Sequence, residues 1–275
     1  MKIKLSPFLW HILLGLILLV LLFPIFWMVS LSFKSVSQIS GQNPLDLWPN
    51  PWTVENFQYV WRGNNFISFT RNSFIIASGV TCLKSATGLL AAYGFSQFRF
   101  LGRKILLGAC LLSMFVPFVT IMLPNYLFLS QLDLLNTYWA VILPQAADGM
   151  GIFLLYQAMR AIPKSIIESA QLDGNSHLEI LVKVVLPVIR PAIFSLGIMS
   201  FINSWNEYFW PLLVLNSREM YTLPLALNLF ANVEAGTEWG PLMTVATITA
   251  LPPLVCYLFA QKQIVNTFLH SGVKG

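Results

Sequence analysis

The sequence predicts an all-α, polytopic membrane protein with about six membrane-spanning helices. Of 275 residues, 56% are hydrophobic and only 10% are charged, with a mean hydropathy of +0.70. A soluble domain carries roughly 25% charged residues, and a water-soluble fold of this composition would have nowhere to put its apolar surface. The apolar residues gather in windows near the ~20 residues that cross a bilayer core. Lys and Arg gather in alternate connections between them, so the net charge of +5 reflects topology rather than a nucleic-acid partner.

The windows run approximately Leu9–Phe33, Ser73–Phe95, Ile105–Phe128, Tyr138–Tyr156, Ala192–Leu215 and Leu242–Ala260. The first is too long for the apolar core of a secretory signal and lacks a small-x-small cleavage site, so it reads as a retained helix. Lys2, Lys4, Arg99, Arg103, Lys104, Arg160, Lys164, Lys183, Arg190, Lys262 and Lys274 fall on one side of this arrangement. The other side holds Lys34, Arg62, Arg71 and Arg218, with the acids Asp46, Glu55, Asp133, Glu219, Glu234 and Glu238. By the positive-inside rule both termini are cytoplasmic. The long outer connections, 34–72 and 216–241, read either as an interfacial aromatic belt or as a docking surface for an external partner. Residues 1–275 read as one domain without a repeat or a soluble extension. Cys82, Cys110 and Cys256 lie inside apolar stretches, with neither paired spacing nor a nearby His cluster, and read as small buried residues rather than metal ligands.

The cytoplasmic connection at about 161–190 carries most information. Ser165 with Glu168, and Ser176 with Glu179, have capping-box spacing for two short helices, and Gly174 between them suits the left-handed residue that ends the first. Ile166, Ile167 and Ala170 can share a face while Lys164, Glu168 and Asp173 stay polar. A loop made of capped helices is rigid enough to transmit motion from a soluble partner, and equally suits an amphipathic helix lying at the interface.

Glu168-Ser169-Ala170, Gly174, Val184 and Leu186-Pro187 reproduce the spacing of the EAA motif of ABC-importer permeases, with Ser169 and Val184 as conservative departures. Leu90–Phe100, Gly151–Leu155, Ser204–Leu212, Thr222–Leu225 and Gly272–Gly275 extend the resemblance to carbohydrate permeases of the maltose-permease type. The resemblance implies the type I importer permease fold and a coupling contact with a cytoplasmic ATPase through Glu168, Ser169, Ala170, Asp173 and Gly174, with Leu186 and Pro187 leading back toward the membrane. It also implies a second, homologous permease chain, two ATPase subunits, an external sugar-binding protein, and a bacterial inner-membrane location. No G-x-x-x-x-G-K-(S/T) phosphate loop occurs, so ATP and Mg are expected in the partner ATPase subunits, with no cofactor on this chain and no catalytic residue.

Ionisable groups at bilayer depth ask for a reason. Lys84 is expected to pair with a buried acid or a backbone carbonyl. Asp148 interrupts the fourth span beside Gly149 and Gly151, which suit a break or a close helix approach. Asn203, Asn206 and Glu207 lie three and four apart, on one face if the helix is continuous, and suit sugar hydroxyls; Trp205 would point elsewhere, to lipid or a partner chain. These four polar residues, Asp148, Asn203, Asn206 and Glu207, are the candidate substrate pathway. A neutral di- or oligosaccharide or related glycoside is favoured over a doubly anionic cargo, since few cations besides Lys84 lie at that depth. The rivals are an importer of glycerol phosphate or a charged sugar, which 236–240 also resembles, and an ion-driven secondary transporter using Asp148 and Glu207.

Overall fold

In lipid a backbone must satisfy its own hydrogen bonds. The computed structural model describes residues 7–41, 46–63, 65–231 and 237–272, which contain helices and no strand. Lys2, Lys4, Asn43, Pro44, Leu45, Glu234, Gly236 and the stretch 273–275 lie outside the described residues.

Helix α1 (Pro7–Ser32) is apolar on all sides, and no residue of its most apolar stretch is buried within this chain. Two short helices follow, α2 (Val36–Gly41) and α3 (Glu55–Gly63). The aromatic connection between them folds back on the end of α1. The Lys34 ammonium donates to the Asp46 carbonyl and the Ser30 hydroxyl to that of Leu47, while Trp48 stacks on Phe26 at 6.2 Å. Asn56 donates to the Ser32 and Lys34 carbonyls at 3.1 and 2.7 Å, satisfying the acceptor that the end of α1 leaves open and one in the turn after it. Lys34, assigned to the solvent side, is only 5% exposed.

Helix α4 (Phe66–Gln97) is the second long span. The third and fourth predicted spans are each broken. α5 (Arg103–Ser113) and α6 (Phe118–Gln131) meet at 102°, whereas a straight helix was expected. Pro117 explains the break: it caps α6 in an extended conformation and disfavours helical geometry at Val116. α7 (Tyr138–Ile142), prolonged by a 3-10 turn to Gln145, meets α8 (Gly149–Arg160) at 49°, with Asp148 extended at the junction.

Helix α9 (Lys164–Leu172) crosses to α10 (His177–Glu179), which runs through a π-helical stretch, Ile180–Val185, into α11 (Leu186–Trp205). The second predicted short helix is therefore the foot of the fifth span. His177–Trp205 is one helix of 29 residues, about 43 Å long against a bilayer core of ~30 Å. It ends at Trp205, ten residues before the predicted Leu215, and α12 (Phe209–Val214) is separate. α13 (Leu223–Ala226) and the long α14 (Trp239–Gly272) complete the chain.

The chain forms two units, Met1–Ile67 with Leu223–Leu251, and Ser68–Thr222 with Pro252–Gly275. The core of the second joins α4, α8, α9 and the helix continuing to α11, through Tyr93, Phe95, Leu155, Met159, Ile167, Ala170 and Leu181. Gly149 allows α5 and α8 to approach closely, since a Cβ there would lie 2.0 Å from the Cys110 carbonyl oxygen. Cys82 is exposed, and Cys110 and Cys256 half-buried, so none is the fully buried residue expected.

Candidate functional site

Three of the helix breaks in the second unit converge on one cavity of about 570 Å³. Ser113, Met114 and Val116 line it from the α5–α6 break, Gln145 and Asp148 from the α7–α8 break, and Glu207 from the α11–α12 break, with Lys84 reaching in from α4. Non-helical backbone at membrane depth is tolerated where it is buried or lines a cavity.

The charges are arranged by the helix ends. Asp148 precedes α8 and accepts the Gly151 N–H at 2.6 Å through Oδ1, and its Oδ2 pairs with the Lys84 ammonium at 2.9 Å. The expected acid partner of Lys84 is thus Asp148. Glu207 lies past the end of α11 and accepts the Trp210 N–H at 3.3 Å, at the first turn of α12. One cation and two carboxylates therefore face the cavity, with the cation already neutralised.

The other predicted pathway residues are not brought in. Asn203 and Asn206 are exposed and do not line the cavity. The single-face argument fails because Asn206 caps α11 and Glu207 falls in the break. Trp205, expected to face lipid or a partner, is 1% exposed and packs on Phe201 and Phe74 at centroid distances of 5.8 and 4.8 Å. The rotation of the last turn sets the tryptophan inward and the asparagines out.

The 161–190 connection forms a second surface. Ser176 and Glu179 form the predicted capping box. Ser165 and Glu168 do not, since Pro163 takes the cap position and no side chain caps α9. Gly174 has φ +79°. The Asn175 and Gly174 N–H groups return to the carbonyls of Ala170 and Gln171 at 3.2 and 3.0 Å, a Schellman ending for α9. Ile167 and Ala170 are buried, but Ile166 is 46% exposed and off that face. Glu168, Ser169, Asp173 and Gly174 are exposed, Leu172 among them at 89%, while Leu186 is half-buried and Pro187 exposed within the long helix. An acidic rim around a protruding leucine, held on a helix anchored from below, suits docking to a protein surface.

Sequence reasoning missed Tyr93, which is 6% exposed and donates its hydroxyl to the His177 carbonyl at 3.0 Å. A tyrosine in the last turns of an apolar span was the available signal. It also missed a cleft of about 510 Å³ in the first unit, where the Tyr59 hydroxyl donates to Glu238 at 3.3 Å. The Glu238 charge pushes the Tyr59 phenol above its ordinary range.

Broken helices around a polar cavity, in a chain with several long apolar spans, define a multi-pass membrane transport protein. The chain belongs to the family of binding-protein-dependent transport system inner membrane components, whose pattern matches residues 84–268 and so takes in both surfaces. It is 31% identical to the arabinooligosaccharides transport system permease protein AraQ of Bacillus subtilis, over 94% of this chain and 92% of that one. It is 29% identical to the sn-glycerol-3-phosphate transport system permease protein UgpE of Yersinia pestis bv. Antiqua, over 95% of each. Its fold is that of an ABC importer permease: 95% of the chain matches 99% of a chain in the crystal structure of a bacterial ABC transporter involved in the import of the acidic polysaccharide alginate. The TM-score is 0.84 at 23% identity.

Proposed function

We propose that this chain is a non-catalytic permease subunit of an ATP-driven importer for a neutral di- or oligosaccharide or related glycoside. It works beside a second, homologous permease chain, with two cytoplasmic ATPase subunits that hold ATP and Mg and an external sugar-binding protein that delivers cargo. Both termini and the 161–190 loop are cytoplasmic, and 1–275 acts as one permease domain. The observation that carries the reading is the cavity where three helix breaks converge, since broken helices supply polar backbone and capping carboxylates along a transport path.

The charge of that cavity favours neutral cargo. Lys84 is held by Asp148, and Glu207 adds an unmatched negative charge, so an anion entering would meet no free cation among the described lining residues. Sugar hydroxyls would instead find carboxylate oxygens and Gln145. ATP binding would draw the ATPases together, move the exposed face of α9, and through the core beneath it tilt the helices whose breaks line the path. Relatives of both kinds exist, one named for arabinooligosaccharides and one for glycerol 3-phosphate, and the charge of this cavity favours the first reading for this chain.

The test is deletion of the chain in its native cell and uptake of labelled maltose, trehalose, sucrose, a glycosylated polyol and glycerol 3-phosphate. Loss of a neutral sugar, restored by the wild-type chain, is expected. Loss of glycerol 3-phosphate alone would establish the anionic cargo instead, and uptake driven by membrane potential without an ATPase would establish an ion-coupled carrier.

A further inference from the structure

We infer that Tyr93 is a positioning residue that fastens the proposed coupling loop to α4, so that the two move as one body; this rests on the coupling role proposed for α9. The contact is two-pronged. The Tyr93 hydroxyl donates to the His177 carbonyl at 3.0 Å, and the phenol oxygen sits 3.2 Å from His177 Nδ1. The phenol has one proton; with it given to the carbonyl, the oxygen accepts from Nδ1 in the imidazole tautomer that carries hydrogen there. The imidazole is further held by the Phe98 ring, with centroids 4.6 Å apart.

His177 is a telling place for such a grip. It is the first residue after the Ser176 cap, just beyond the turn that ends α9. The backbone that follows loses its regularity past the first turn: the Ile180 N–H still bonds the Ser176 carbonyl at 2.9 Å, but the Leu186 N–H reaches back five residues to Leu181, through the π-helical stretch. π-helical turns inside α-helices are uncommon and recur at functional sites, and this one breaks the regular i→i−4 ladder. Force on α9 that passes along the chain would be softened there, and beside the apolar core under α9 the buried Tyr93 adds a directional tether that bypasses this segment. It connects to a helix without proline in its interior, 66–97. Nine residues earlier, ~14 Å along that helix, Lys84 reaches the cavity. A displacement of the loop is thus delivered to the Lys84–Asp148 pair without passing through the π segment.

The experiment uses the complete importer, both permease chains, the ATPases and the binding protein, reconstituted in vesicles with the sugar found by the uptake panel. Tyr93→Phe removes the hydroxyl and keeps the ring, and the readout is sugar moved per ATP hydrolysed, which is independent of how much protein assembles. The expected result is a fall of about threefold to tenfold, with ATP hydrolysis retained. A purely structural role would lower abundance and leave the ratio alone. An unchanged ratio in Tyr93→Phe, beside an uncoupled Glu168→Lys control, overturns the tether and leaves the loop assignment standing. An unchanged ratio in both overturns the coupling role of the loop and the tether with it.

Discussion

Lys84 on α4 and Asp148 at the start of α8 meet at 2.9 Å, while the other oxygen of the same carboxylate holds the Gly151 N–H at 2.6 Å. One side chain therefore begins a helix and neutralises the cation of the cavity at once. These tasks separate by substitution, because asparagine caps a helix about as well as aspartate but carries no charge.

Asp148→Asn is expected to leave α8 formed and Lys84 without its counter-charge. Removing one partner of a fully buried pair costs about 3–5 kcal/mol. The Asp148 side chain is 32% exposed, so a loss nearer ~1–2 kcal/mol is expected. Adding Lys84→Met should recover most of it. Thermal unfolding of the detergent-solubilised importer checks this, and losses that merely add would mean that the pair is not coupled.

Glu207→Gln keeps an oxygen for the Trp210 N–H and removes the unmatched charge from the cavity. Neutral-sugar uptake should fall no more than a few-fold, and exclusion of an anionic analogue should weaken. A labelled uptake panel in the deletion strain reads both, and identical selectivity before and after the change would remove Glu207 from the pathway.

The Glu168 carboxylate is exposed and has no ion pair or hydrogen bond among the described residues, so Glu168→Lys should abolish ATP-coupled uptake with normal membrane abundance. Gly174→Val should do the same for another reason. Space is open around Gly174, with nothing within 4 Å of a built Cβ. The φ of +79° opposes a β-branched residue, at a cost of about 1–2 kcal/mol. Membrane fractions and uptake measured together test this, and normal uptake in both variants would refute the docking role.

Gly149→Ala should reduce folded protein more than either loop change, since the new methyl meets backbone at 2.0 Å rather than a movable side chain. A loss of about 3 kcal/mol is expected. Abundance in the membrane and the unfolding midpoint report it, and a wild-type midpoint would mean that α5 and α8 separate freely.

What could be read in the sequence alone was local. Apolar windows, the Ser176–Glu179 capping box and the turn at Gly174 depend on residues a few positions apart; the capping box and the turn appear in the structure, and four of the six windows overlap single long apolar helices. Pro117 could have announced the sharp break in the third span, but hydropathy averages over a kink. The Pro163 cap displaced the Ser165 box by a shift of two residues, within the reach of boundary error.

Tertiary structure alone decided which polar groups meet. Lys84 and Asp148 are 64 positions apart in the numbering, and their pairing depends on how α4 and α8 are placed and rotated. Helix periodicity put Asn203, Asn206 and Glu207 on one face, yet α11 stops at Trp205, so Glu207 turns into the cavity and the asparagines do not. The sequence determined that the chain carries long apolar spans and, in the 161–190 connection, the Ser176–Glu179 capping box, because hydrophobicity and capping are properties of neighbouring residues. The site itself required the fold, because a cavity is made by the ends of helices that packing, not sequence proximity, brings together.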